Sequence, residues 1–274
     1  MFLRTLLSAV FLSTLTALCA DEVIRVPNPN AEAINQVGIN KKGCGPVSQL
    51  NSYAFSSEKW RAVTDKIPGD TEGKRFVYLV KKHGMKFSRH MHGRLRWDYK
   101  SGMSSLDLLD YMNDFHAQAR LPKIDLETLF IEDKESHEDL LQRTHKHLKK
   151  SLNKGFPPIM DLRRFAKIRQ KAGYHWRSVH GHFVVVYEIP AQLPQNAQSM
   201  TIKYIDPWGG KIRTGTLRIP SGDFFANNNN DRADYKLRKT PCLEADFPGC
   251  QVGLQNLKSG EENVLILSAT LGDF

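Results

Sequence analysis

Apolar positions change their spacing about halfway along the chain, from a helical rhythm to dense runs of β-branched and aromatic residues. The helical half opens at Pro46. Proline suits the first helical position, where its missing N–H would have no partner, and SQLNSYAFSSEKW continues the helix. Cys44 therefore lies just ahead of a helix N-terminus. Ser104 with Asp107 makes a capping-box pattern, and Leu108, Met112 and Phe115 then recur on one face. A third helix runs through EDLLQRTHKHLKKSLNKG, with Leu141, Leu148 and Leu152 on a shared stripe and Gly155 as its stop. His145 falls on that stripe and reads as a partly buried structural histidine.

Beyond Gly155, HFVVVYEI, MTIKYI and VLILSAT read as strands, separated by proline, glycine and asparagine. Helices first and an antiparallel sheet afterwards make an α+β fold. Residues 21–43, with Pro27, Pro29 and a short VIRV alternation, read as an extended lead-in, and the four asparagines at 227–230 as a polar loop. No internal repeat is visible.

The first twenty residues combine a basic start at Arg4, an apolar run from Leu6 to Leu18 and a small-residue exit. This is the pattern of a secretory signal peptide, so the expected organisation is a leader over 1–20 and a single domain over 21–274. The apolar run is shorter than the roughly 18 residues that a spanning helix needs. Lipidation at Cys19 is disfavoured because Leu18 stands where a small residue is required. The protein is thus expected to be exported, periplasmic or extracellular, without a stable membrane span.

The net charge of +10 favours anionic surfaces or acidic substrates without choosing among them. The basic residues are scattered and no nucleic-acid motif is present, so nucleic acid is not an expected partner. One basic concentration stands out, RRFAKIRQKAGYHWR from Arg163 to Arg177, which reads as a solvated hairpin or as a charged rim beside a cleft. Of the four cysteines, Cys19 leaves with the leader. In an oxidising compartment Cys242 and Cys250 are close enough in sequence to form a small-loop disulfide, leaving Cys44 unpaired.

An unpaired cysteine at a helix start suggests chemistry, since a helix N-terminus and a nearby imidazolium both favour the thiolate. Gly43 and Gly45 flank it without side chains, which would let a substrate backbone approach, and the Cys44 N–H would serve as an oxyanion donor. A base could come from HGHFVVVYEIP, where His180 and His182 share a strand face and either could reach a thiol. A metal pair is the competing reading of the two histidines, but no cysteine or carboxylate stands at ligand spacing. In YIDPWGG, Asp206 ends a strand and Pro207 keeps it extended, while Trp208 could shield a hydrogen bond between Asp206 and a histidine. Taken singly, D-P and G-G are ordinary turn material. Together the segments supply a nucleophile, a base and an orienting acid, in the order Cys, His, Asp.

In CGPVSQLNSY, GHFVVVYEI and YIDPWGG the sequence resembles the papain-like cysteine peptidases, most closely the C39-like branch related to bacteriocin-processing peptidases. The resemblance implies a papain-like fold, with the nucleophile on a central helix of a helical N-terminal part, packed against an antiparallel sheet that carries His and Asp. The domain would end in a C-terminal extension, since the matching order of elements covers residues 36–220. It also implies Cys44 as nucleophile, His182 rather than His180 as base, and Asp206 as orienter. The family places an oxyanion-hole glutamine shortly before the cysteine; here Gln36 lies eight positions before and Asn40 four before, and Gln36 has the longer reach. The activity so implied is that of an exported cysteine peptidase or amide hydrolase, acting on a peptide or protein through a thioester acyl-enzyme, with no metal or cofactor. Two rivals use the same scaffold: an acyl or amide transferase with the same triad, and a non-catalytic papain-like binding module.

Overall fold

The computed structural model describes residues 22–129, 135–170, 173–222, 242–250 and 252–274. The leader expected over 1–20 and the asparagine run at 227–230 lie outside the described residues. A short strand β1 (Val23–Arg25) leads to α1 (Cys44–Ala54), α2 (Glu58–Arg61) and α3 (Glu72–Leu79). A two-strand ribbon follows, β2 (Trp97–Asp98) with β3 (Gly102–Met103), and then α4 (Ser105–Ala119), β4 (Asp125–Thr128) and α5 (His137–Asn153). The remainder is strand: β5 (Ile159–Gln170), β6 (Gly173–Pro190), β7 (Ser199–Asp206), β8 (Lys211–Arg218), β9 (Leu243–Asp246) and β10 (Asn263–Gly272). Helix thus precedes an antiparallel sheet, an α+β arrangement.

The helix starts follow their caps. Ser104 caps α4 by accepting from the Asp107 N–H, and Ser136 with Asp139 forms a reciprocal capping box at the start of α5. Gly155 adopts φ +81 immediately after α5, a left-handed conformation that ends the helix. The continuous helix expected from Pro46 through Trp60 is instead broken at Phe55. Ser56 turns its hydroxyl back onto the Tyr53 carbonyl at 2.7 Å, and the chain restarts as α2, whose Ser57 N–H bonds to the Gly155 carbonyl at 2.9 Å. A serine pair that can satisfy backbone groups locally competes with helix continuation, which helical spacing alone does not reveal.

In the sheet β6 lies between β1 and β5, and β10 follows β5; β9, β8 and β7 continue the path, which closes where β7 pairs with β6. Strand β4 pairs with β10 from Ala269 to Gly272, beyond the residues that β9 pairs. Every described pairing is antiparallel. The last strand, β10, is central to the sheet, so the end of the chain is built into the core rather than appended to it. One continuous apolar core joins the helices to the inner face of the sheet, with Tyr53, Trp60, Leu108, Phe156 and Tyr204 among its fully buried members. Among the described residues no helix is long and apolar enough to cross a membrane.

The expected Cys242–Cys250 disulfide is not formed; both are free, buried thiols. Strand alternation explains why. Leu243 and Ala245 face the main core, which also holds Cys250, whereas Cys242 packs in a second cluster with Phe165, Trp176, Val264 and Ile266. The sheet lies between the two sulfurs, and closeness in sequence says nothing about which face each one takes. Burial pushes each thiol up to about 12, with Glu244 adding to the effect at Cys242 and Asp206 at Cys250.

Candidate active site

Cys44 is the first residue of α1, so the helix begins two residues earlier than the proline pattern suggests. Pro46 still falls in the first turn, where backbone N–H groups have no partner within the helix. Cys44 and Ser48 lie one turn apart on the same helix face. The buried Ser48 hydroxyl donates to the Phe183 carbonyl at 3.0 Å, pinning that face to β6 one residue beyond His182. The half-buried Cys44 thiol consequently comes close enough to the His182 imidazole to help hold its proton.

The two glycines beside Cys44 have a different role from the one expected. A Cβ on Gly43 would lie 2.8 Å from the Phe76 ring, and one on Gly45 would sit against Leu108 and Phe183. Gly43 thus lets α1 approach Phe76 closely, while Gly45 lies at ordinary contact distance from the core, and neither forms an open lane for substrate.

His182 Nε2 lies 2.9 Å from Asp206 Oδ1, which leaves Nδ1 for the thiol. Both side chains are buried. Asp206 Oδ1 also accepts the Trp208 backbone N–H at 2.9 Å, while Oδ2 faces the Arg213 guanidinium at 3.3 Å as an ion pair without hydrogen-bond alignment. Burial disfavours a charged imidazole at His182, but the Asp206 and Cys44 hydrogen bonds and their charges outweigh it, raising the group to about 9. The Trp208 side chain is half-exposed in the cavity wall.

His180 lines the same cavity without a hydrogen bond to Cys44. Burial, then Lys42 and His182, hold it below the usual histidine range. Of the two histidines that sequence left open, His182 is the one the fold joins to both Cys44 and Asp206.

Gln36 is buried at 1% exposure in the wall of this cavity. Its position is fixed from three sides. The Gln36 backbone N–H donates to the Pro207 carbonyl at 2.8 Å, the Asn35 carboxamide accepts the Gly209 N–H at 3.1 Å, and Asn51 on α1 accepts the Ile34 N–H at 2.8 Å. The lead-in is therefore tied both to the nucleophile helix and to the Asp206 loop. Gln36 Nε2 spends one N–H on the Lys41 carbonyl at 3.1 Å, leaving its second for the cavity. Asn40, the alternative by sequence position, makes a local turn with Lys42 N–H and does not line the cavity.

The cavity is about 300 Å³ and combines these groups with parts of the 91–104 segment. It also contains Asp161, whose place there the sequence did not disclose, and Arg163, from the basic stretch read as a solvated hairpin or a charged rim. Asp161, on β5, is buried, and its Oδ2 accepts from the Ser105 hydroxyl, from the Ser268 hydroxyl at 2.8 Å and from Arg163 Nε at 3.1 Å. The signal was an acid in the apolar run IMDL, which a buried strand tolerates only with partners. Among the described residues of the basic Arg163–Arg177 stretch, Arg163 reaches the cavity wall, whereas Arg164 is buried against the Val252 carbonyl and Asn263. Its described residues belong to the paired strands β5 and β6, so neighbouring basic residues alternate between faces. Compared with known proteins, the chain matches no family model and no curated sequence.

Proposed function

We propose that the protein is an exported cysteine-type amide hydrolase, a peptidase with a papain-like arrangement of its site. The observation that carries this reading is the juxtaposition of Cys44, at the start of a helix, with the hydrogen-bonded pair of His182 and Asp206, in a cavity also walled by Gln36. The assignment of export rests on the leader pattern in residues 1–20.

In this reading His182 holds the Cys44 proton and Asp206 keeps the imidazolium oriented and ionised. The thiolate adds to the substrate carbonyl, and the Cys44 backbone N–H with the free Gln36 amide N–H receives the developing oxyanion. Collapse of the tetrahedral adduct breaks the C–N bond, His182 delivers its proton to the departing amine, and a thioester remains on Cys44. Water then attacks the thioester, giving up a proton to His182, and the acid and free thiol are restored.

Mapping the site of modification by a thiol-directed electrophile, in parallel with a peptide-library cleavage screen, tests the proposal. Cys44 should be labelled rapidly and selectively over the buried Cys242 and Cys250, and Cys44→Ala should abolish cleavage. Gln36→Ala should lower kcat by about 100-fold while leaving the rate of alkylation by a small reagent largely intact, as expected for a transition-state donor. Cleavage surviving in Cys44→Ala would refute the mechanism. Failure of Cys44 to label selectively, with no peptide processed whether or not an amine acceptor is supplied, would favour a binding module.

A further inference from the structure

We infer that the cavity beside Cys44 receives a carboxylate of the substrate, bound by Arg163 and Lys42. This rests on the reading of the cavity as the substrate site and specifies the chemical class it takes.

The charge balance of the wall is the first argument. Two of its three acids are already engaged, Asp206 by His182 and the Trp208 N–H and Asp161 by two serine hydroxyls and Arg163, while Asp107 takes the Ser104 hydroxyl on Oδ2 at 2.8 Å and keeps a buried Oδ1 without a partner. Among the cations, Arg96 is held by Asp110 and Asp114. Arg94 bonds the Ser101 hydroxyl beside Asp98, whereas Lys41 and Lys42 make no ion pair among the described residues, although all three line the cavity. The wall therefore presents a surplus of positive charge to whatever enters.

Arg163 supplies a fixed element within that surplus. Its Nε is held at 3.1 Å by Asp161, which is itself held by hydroxyls from α4 and β10, so the guanidinium is anchored at its stem. One terminal nitrogen lies 3.5 Å from Ser105 Oγ; the remaining terminal N–H donors are available to a ligand. Its neighbour across the strands is Gly181, where a Cβ would lie 3.6 Å from Asp161 Oδ1 and 3.9 Å from Arg163 Cγ. Without a side chain there, the floor stays open in front of the guanidinium. Lys42 stands two residues before Cys44, and its carbonyl accepts the Trp97 indole N–H at 3.2 Å, which fixes the start of its side chain at the cavity wall. A planar fork of donors backed by a mobile ammonium matches a carboxylate, and a peptide offers one in an Asp or Glu side chain or at its C-terminus.

Binding of three matched tetrapeptides to the Cys44→Ala variant, followed by ligand-observed NMR titration, tests this without requiring turnover. The first carries Glu and an amidated C-terminus, the second Gln and a free C-terminus, and the third Gln and an amidated C-terminus. At low salt one or both of the charged peptides should bind about fivefold more tightly than the neutral one, and which of them does identifies the source of the carboxylate. The advantage should shrink at about 1 M salt, where the Debye length is about 3 Å. Arg163→Gln should remove most of it and Arg163→Lys should retain part. Arg163→Gln leaves Asp161 without its cation, so Lys42→Gln, at a residue that makes no ion pair among the described residues, serves as an independent variant and should also reduce the preference. Equal affinities for the three peptides, including no binding of any at millimolar concentration, would overturn the inference, as would an unchanged preference in both Arg163→Gln and Lys42→Gln. Labelling of Cys44 in the parent protein reports separately on the hydrolase itself.

Discussion

At His182 burial and charge act in opposite directions, and charge prevails. A group raised from 6.5 to about 9 keeps its proton across neutral pH, as a thiolate–imidazolium pair requires. The sign follows from the direction of the shift. Stabilisation by the protonated ring is fully present below the ordinary value of 6.5 and is lost as pH rises through about 9. We therefore expect kcat/KM to show an alkaline limb near pH 9. In Asp206→Asn, which retains an acceptor but removes the charge, that limb should move to lower pH. A pH profile of peptide cleavage checks both expectations; an unmoved limb would mean that Asp206 does not sustain the proton on His182.

Among the elements, the join between α5 and the rest of the helical layer depends on Gly155. Its φ of +81 disfavours a side chain, and a Cβ there would overlap the Ser57 side chain at the start of α2. The same glycine offers its carbonyl to the Ser57 N–H, so it ends one helix and fixes the beginning of another. Gly155→Ala should destabilise the fold by about 2 kcal/mol, combining backbone strain with overpacking. Urea unfolding should show a lower midpoint at an unchanged m-value, whereas an undiminished midpoint would show that Ser57 moves aside at no cost.

Across the whole molecule, two histidines buried in the helical layer make stability sensitive to mild acid. His83 has no hydrogen-bond partner on either ring nitrogen and lies edge-on to Tyr111 and Phe115. His116 is held between the Tyr53 hydroxyl at 2.6 Å and the Pro122 carbonyl at 2.8 Å. Burial is the main cause that lowers each to about 4. The unfolded chain then binds protons that the native state refuses, so stability should fall as pH drops from about 6.5 towards 4. Thermal midpoints measured across that window should decline, and His83→Leu should flatten the decline. A flat profile in the parent would show that neither histidine titrates with unfolding.

The features legible in the sequence were those set by residues close together along the chain. The Ser104 cap, the Gly155 stop, the apolar stripe of α5 and the β-branched runs each act over a few residues, and they announced the helices and the main strands. The segments holding Cys44, His182 and Asp206 could likewise be singled out by their local settings. Which histidine meets the thiol, however, depends on Ser48 anchoring α1 to β6, a contact between residues 135 positions apart. Tertiary structure also decided that Cys242 and Cys250 fall on opposite faces of the sheet, and that Arg163 enters the cavity while Arg164 turns away. In each case the outcome follows from strand pairing and face, which are settled by burial across the whole sheet and leave little trace in local spacing.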